Sequence, residues 1–258
     1  MLQVLLLSYG FLFGLVVGSY LNVVVHRLPR GQSTVTPRSR CPSCGHLIRW
    51  YDNLPLVSWL VLGGHCRRCD AAISLRYPLV EASTGALFTL ALWRFGATAS
   101  GVVACALLAL LLALALIDAE HYLLPDKITK PGMLAGLGAS FVVEWTTPVG
   151  SVLALLGGAG VLYALIGLWW LVRRQQGMGL GDPKMLAMVG AFLGPGKTVL
   201  TLFLACLLGT VVATALIATR RAELGSRLPF GVYLAVGAAL ALLVGDPVLD
   251  WYLGLLVR

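Results

Sequence analysis

Eight apolar stretches, at about 3–25, 78–95, 99–117, 129–146, 149–172, 183–196, 198–219 and 229–256, govern what this chain can fold into. Most are near the ~20 residues an α-helix needs to cross ~30 Å of hydrocarbon. With 59% hydrophobic and 12% charged residues, no water-soluble domain is expected. The fold class predicted is an all-α polytopic membrane protein of about eight transmembrane helices, with a small cytoplasmic zinc-binding loop domain. Thirty glycines suit helices that pack closely where lipid supplies no hydrophobic force between them.

The sixth stretch is short and ends at Pro195-Gly196, so a half-helix that turns back is its alternative. Charge separates the two. No basic residue precedes the first apolar run and Arg27 and Arg30 follow it, which predicts a retained first span with its N-terminus outside. If all eight stretches cross, the inner loops are 26–77, 118–128, 173–182 and 220–228. With nearby Lys130 and Lys184 these loops hold 16 of the 19 Lys and Arg. A sixth stretch that turned back would move Arg220, Arg221 and Arg227 outside, against the positive-inside tendency. Eight spans are preferred.

The net charge of +8 resides in loops. No basic stripe interleaved with aromatics appears, so nucleic acid is not expected as a partner. Acidic lipid headgroups are, since the basic loop residues would lie against the membrane surface.

Residues 41–69, CPSCGHLIRWYDNLPLVSWLVLGGHCRRC, place two Cys-x-x-Cys pairs 21 residues apart. Two such pairs bringing Cys41, Cys44, Cys66 and Cys69 to one centre is the pattern of structural zinc. A closed four-thiolate site leaves no position for water and is expected to shape the loop rather than catalyse. His46 and His65 sit beside the pairs as supporting or solvated residues. Cys105 and Cys206 lie in apolar runs and read as small packing residues.

Two carboxylates are expensive where they stand. Asp118 closes the run VVACALLALLLALALID, and Asp182 ends GMGLGD. In the eight-span topology both fall at the inner membrane face. Each has a plain reading: Asp182 as a helix N-cap followed by Pro183, Asp118 as a helix-terminal acid facing water, with Asp126 capping the next helix. The cap does not explain the glycines beside Asp182. Gly179 and Gly181 let another chain approach, and with Lys184 they frame Asp182 as a supporting loop. Paired acids with no other nucleophile suit aspartic proteolysis, in which one proton is shared between them. The competing class is an ion or metal transporter, although transporters place such groups near the bilayer midplane.

GSYLNVVVHRLP, CPSC…CRRC, DNLPLVSWL, ISLRYPLVE, DAEHYLLPD, GMGLGDPK and PFGVYLA, in this order from about residue 18 to 237, resemble the type IV prepilin leader peptidases, membrane aspartic proteases of the GxGD type. The resemblance implies cleavage of the basic leader of type IV prepilins or type II secretion pseudopilins at the cytoplasmic face of the bacterial inner membrane. It carries the catalytic aspartates onto Asp118 and Asp182. It also implies N-methylation of the new N-terminus with S-adenosylmethionine, as in members bearing the four-cysteine loop. No glycine-rich nucleotide fingerprint marks a donor site. Two departures touch supporting positions: Asp52 stands where the family has glutamate, and the acidic pair after the first aspartate is reduced to Glu120. The expected division is 1–25 as first transmembrane helix, 26–77 as cytoplasmic four-cysteine zinc loop and 78–258 as a seven-helix membrane protease core. Glu81, Glu120 and Asp126 are candidates, by charge sign, to meet a basic leader.

Overall fold

The computed structural model describes residues 1–174, 179–221, 223 and 227–256, and these are helical with no strands. Eight helices follow in order: α1 Leu2–Arg27, α2 Val57–Val61, α3 Arg76–Phe95, α4 Ala99–His121, α5 Asp126–Ala139, α6 Pro148–Arg173, α7 Gly181–Ala218 and α8 Phe230–Leu256, with a 3-10 turn at Trp50–Asn53 before α2. Five of them, α1, α4, α6, α7 and α8, are long and apolar enough to cross a membrane. The protein is therefore a helical, multi-pass membrane protein. The expected loops 173–182 and 220–228 lie partly outside the described residues.

Two compact units divide the chain, Met1–Ala109 and Leu110–Arg258, and the boundary falls inside α4. In the first unit, Gly10, Gly14 and Gly18 make one stripe of α1 at intervals of four. An added Cβ on Gly14 would stand 2.7 Å from the Gly85 Cα, and on Gly18 2.7 Å from the Glu81 Cα. The helices α1 and α3 thus touch backbone to backbone and run antiparallel, the way small residues let helices associate without a hydrophobic drive. Asn22 extends the stripe, its Nδ2 donating to the Tyr77 carbonyl at 3.2 Å.

In the second unit α7 is not one rod. Gly194 has φ 76° and ψ 179°, a conformation open almost only to glycine. A straight helix would separate Leu186 from Thr198 by about 18 Å. Yet a Cβ on Gly158 of α6 would lie 3.2 Å from the Leu186 carbonyl oxygen and 3.4 Å from the Thr198 Cγ2. The chain doubles back at Gly194. Residues 181–193 run antiparallel to α6, with Gly190 against Ala154 and Gly158 against Leu186. Residues 195–218 run antiparallel to α8, with Gly196 against Leu249 and Gly209 against Tyr233. The turn is held by Trp145, which donates from Nε1 to the Phe192 carbonyl at 2.9 Å, and by buried Lys197, paired with Asp246 at 2.8 Å.

Candidate functional site

Asp118 sits near the C-terminus of α4 and Asp182 in the first turn of α7, and both are buried. The second unit brings them together. The two carboxyls are close enough to act on one another electrostatically. Around Asp118 close three elements. A Cβ on Gly231, at the start of α8, would stand 2.8 Å from Asp118 Oδ2 and 3.0 Å from Leu124 Cδ2; one on Gly181 would stand 2.8 Å from Leu124 Cβ. Only glycine allows α8 and α7 to approach the α4–α5 connection this closely. The backbone N–H groups of Gly231 and Val232 face the Asp118 carboxyl. At hydrogen-bonding distance, however, its buried Oδ2 has no partner among the described residues. A buried carboxyl oxygen without a close partner is costly to hold in this position.

Asp182 does not cap α7, contrary to the plain reading. Leu180 occupies the cap position already in helical conformation, with no side-chain cap bond, so Asp182 falls inside the first turn. Its carboxyl turns back over Gly179, whose Cβ would lie 3.3 Å from Asp182 Oδ2. Asp126 likewise is not a cap, because Pro125 takes that position. It pairs instead with Lys184 at 2.7 Å and Lys130 at 2.8 Å. Lys130 and Lys184 hold its carboxyl below the usual carboxylate range. The Asp126–Lys184 contact ties the start of α5 to the start of α7, two residues from Asp182. Sequence reasoning offers Asp126 as a cap or a contact for a basic leader and gives no role to Leu124, Gly231 or Val232. The PFGVYLA motif was the one available signal for the last two.

The four cysteines form a second candidate centre in the first unit. Their sulfur atoms all lie within 4.8 Å of one another, with Cys41 and Cys69 at 3.8 Å. Both pairs are built alike. The Cys41 N–H donates to the His46 carbonyl and the Gly45 N–H to the Cys41 carbonyl, each at 2.9 Å. The Cys66 N–H donates to Ala71 at 2.9 Å and the Asp70 N–H to Cys66 at 3.0 Å. The residue after each second cysteine, Gly45 or Asp70, has φ near +60° (68° and 57°), the left-handed conformation that closes such a knuckle. Backbone N–H groups of Cys44 and Ser43 aimed at the Cys41 sulfur bring its thiol down to about 6. His46 and His65 stand outside the cluster, with Nδ1 of His46 2.8 Å from Arg68 and Nδ1 of His65 2.8 Å from the Gly63 carbonyl.

Glu81 is spent internally, its Oε2 accepting the Leu56 N–H at 2.8 Å. Asp52 forms a forked pair with Arg67, the shortest contact 2.7 Å.

A multi-pass helical membrane protein with a four-thiol module in one unit and two buried, interacting carboxyls in the other is a narrow class. Comparison with known proteins places it within that class. Residues 12–95 match the bacterial peptidase A24 N-terminal domain, and residues 105–214 match the type IV leader peptidase family. The chain belongs to the type IV leader peptidase family. It is 41% identical to a prepilin leader peptidase/N-methyltransferase of Pseudomonas aeruginosa, over 94% of this chain and 91% of that protein. It is 45% identical to one of Myxococcus xanthus, over 82% of this chain and 64% of that protein, and 39% to one of Pseudomonas putida, over 94% and 92%. No solved structure matches the chain.

Proposed function

We propose that this protein cleaves the leader peptide of prepilins or pseudopilins with Asp118 and Asp182, and methylates the N-terminus so released. The observation that carries the peptidase reading is the meeting of two buried carboxyls from α4 and α7, with glycines 179, 181 and 231 thinning the backbone around them. Two acids this close share a proton rather than both ionising. The ionised carboxylate draws a proton from water as its oxygen attacks the scissile carbonyl carbon. The protonated one donates to the carbonyl oxygen and, on collapse, the leaving amine takes a proton as the C–N bond breaks. Burial excludes other water and strengthens each of these contacts.

Asp118→Asn and Asp182→Asn test this reading singly, with a prepilin in detergent and mass spectrometry of the product. Leader cleavage by either variant at the wild-type rate would overturn it.

The topology we propose has eight crossing segments in the bacterial inner membrane, with the N-terminus outside. The reversal at Gly194 supports it, because residues 181–193 and 195–218 then cross in opposite senses and return Arg220 and Arg221 to the inner face. Residues 26–77 form the cytoplasmic module and 78–258 the helices of the protease. A prepilin would keep its apolar helix in the bilayer, leaving the scissile bond at the height of the aspartates.

We assign the four-cysteine module to zinc. Tetrahedral Zn–S bonds of ~2.3 Å place sulfurs about 3.8 Å apart, which the spacing of Cys41 and Cys69 fits without rearrangement. Cys41, Cys44, Cys66 and Cys69 would hold the ion, which would fix the two knuckles to each other.

S-adenosylmethionine would supply the methyl group, with the amine nitrogen forming the new C–N bond as the C–S bond breaks toward sulfur and the nitrogen's proton passing to water. This activity rests on the relatives' names and the four-cysteine loop. Asp118→Asn protein given a pre-cleaved pilin should still methylate it.

A further inference from the structure

Between α1 and α3 the chain carries a short helix that is inside out for water. In α2 the buried side chain is Ser58, whose Oγ donates to the Tyr51 carbonyl and accepts the Leu54 N–H, both at 2.9 Å. Trp59 also turns inward and donates from Nε1 to the Ile73 carbonyl at 3.1 Å. The opposite face is Val57, Leu60 and Val61, spaced i, i+3 and i+4, and these are 54%, 70% and 73% exposed. Trp50 and Leu54, just before α2, are exposed as well. No charged residue stands between 53 and 64. Apolar side chains gathered on one exposed face mark a surface that a partner protein or a membrane covers.

Depth identifies the cover. Gly18 of α1 packs against α3, where its added Cβ would stand 2.7 Å from the Glu81 Cα. The Glu81 carboxyl bonds Ser19 of α1 and accepts the Leu56 N–H at 2.8 Å. Asn53, Leu54 and Pro55 line one groove with Val16, Ser19, Tyr20 and Val23 of α1. The residues leading into α2 therefore stand beside the apolar run of α1, and Ser19 lies eight residues, about 12 Å, short of Arg27. The polar headgroup layer is only about 5–8 Å thick on each side of a bilayer. With Arg27 at the headgroups, Leu56 is held at the edge of the hydrocarbon. The charge around the patch is one-sided: residues 26–77 hold eight arginines against Asp52 and Asp70, and Asp52 is paired with Arg67.

We propose that residues 54–61 are a membrane foot. The helix α2 lies in the leaflet at the Arg27 end of α1, with Val57, Leu60 and Val61 among the acyl chains and the surrounding arginines at acidic headgroups. Lipid is the occupant rather than protein, because five exposed side chains fall far short of the roughly 20–30 residues a side of a specific interface. The proposed topology makes this the inner leaflet, but the inference needs only that α1 crosses. Held by the foot as well as by α1 and α3, the four-cysteine module cannot swing away from the bilayer.

Photocrosslinking tests this on the full chain in nanodiscs of phosphatidylcholine and phosphatidylglycerol. A benzophenone side chain replaces Val57, Leu60 or Val61 one at a time, with exposed Tyr9 of α1 as the lipid-facing reference. Irradiation should give phospholipid adducts at all three positions, joined through the acyl chain, as at Tyr9. The adducts should persist in phosphatidylcholine alone, because apolar burial holds the foot. Adducts that vanish without phosphatidylglycerol overturn the insertion and leave a headgroup contact only. Adducts at Tyr9 with none at 57, 60 and 61 overturn the inference while the crossing of α1 stands. Adducts to a second copy of the chain, or to added prepilin in place of lipid, overturn it too and make the face a protein-docking surface. A second measurement avoids the bulky probe. In the variant carrying Leu60→Asp and Val61→Asp, hydrogen exchange at residues 53–62 should rise at least about tenfold while α1 and α3 exchange as in the wild type. Unchanged exchange at 53–62 overturns the foot.

Discussion

The cysteine module and the aspartate pair are both built from two dipeptide-scale features brought together, but by opposite means. Each cysteine knuckle closes within five residues, through its own backbone bonds and one left-handed residue, Gly45 or Asp70. The aspartates come from positions 118 and 182, and what joins them is the packing of α4, α5, α7 and α8. A site made of local turns tolerates change in the helices. A site made by helix packing is only as good as every close approach in that packing. The lesson is where each should break.

The largest effect is expected at the carboxyls. Asp118→Asn or Asp182→Asn removes the acid–base pair and should cut the cleavage rate at least about 10³-fold. Neither should alter bound zinc, measured by elemental analysis. Serine at Cys44 and Cys69 gives the converse: zinc falls to near zero, and a protease cuts between residues 41 and 69. The loss of cleavage should follow the loss of folded protein, because four thiolates leave no open position for chemistry. Zinc-free protein with full activity and an intact loop would refute the assignment.

Lys184→Met probes the packing that positions Asp182. The variant frees the start of α7 from α5, and an aspartate displaced by even 1 Å should lose roughly tenfold or more in cleavage rate. The sign of any pH dependence follows from Asp126. Its pKa is lowered by Lys130 and Lys184, so the tether is intact above the usual carboxylate value and is lost only as pH falls through the lowered one. The wild-type to Lys184→Met ratio should therefore stay constant from about pH 8 to pH 5. A ratio that collapses toward pH 5 would mean that the lysine acts on a different acid.

How much of this was legible follows the same division. The knuckles could be read from Cys-x-x-Cys spacing because their geometry is set by nearest neighbours. Asp118 and Asp182 were identified by their cost in an apolar setting and by resemblance, but their surroundings were not. Gly231 and Leu124 meet Asp118 through tertiary packing, to which no periodicity points. The cap assigned to Asp182 failed because Leu180 is already helical, and a shift of one residue moves a carboxylate from cap to first turn. The sixth stretch was expected to end at Pro195-Gly196. The break stands at Gly194 rather than Pro195-Gly196, since positive φ with extended ψ is the demand that only glycine meets.

The smallest effects separate glycines that look alike in sequence. At Gly194 an alanine would carry a forbidden φ and meet Thr146, with its Cβ at 2.9 Å, so a loss of about 2–4 kcal/mol is expected. At Gly14 the obstacle is the backbone of Gly85 at 2.7 Å, which cannot rotate away, and a loss of about 1–3 kcal/mol should appear as a lowered Tm. Gly160 of α6 has nothing within 4 Å of an added Cβ. Its replacement by alanine gains helix propensity without a clash and should raise stability by no more than about 1 kcal/mol, leaving cleavage unchanged. If Gly160→Ala instead proves as damaging as Gly14→Ala, that face of α6 is covered in the membrane by something other than this chain, and the contrast between packed and open glycines would have to be redrawn around a second subunit.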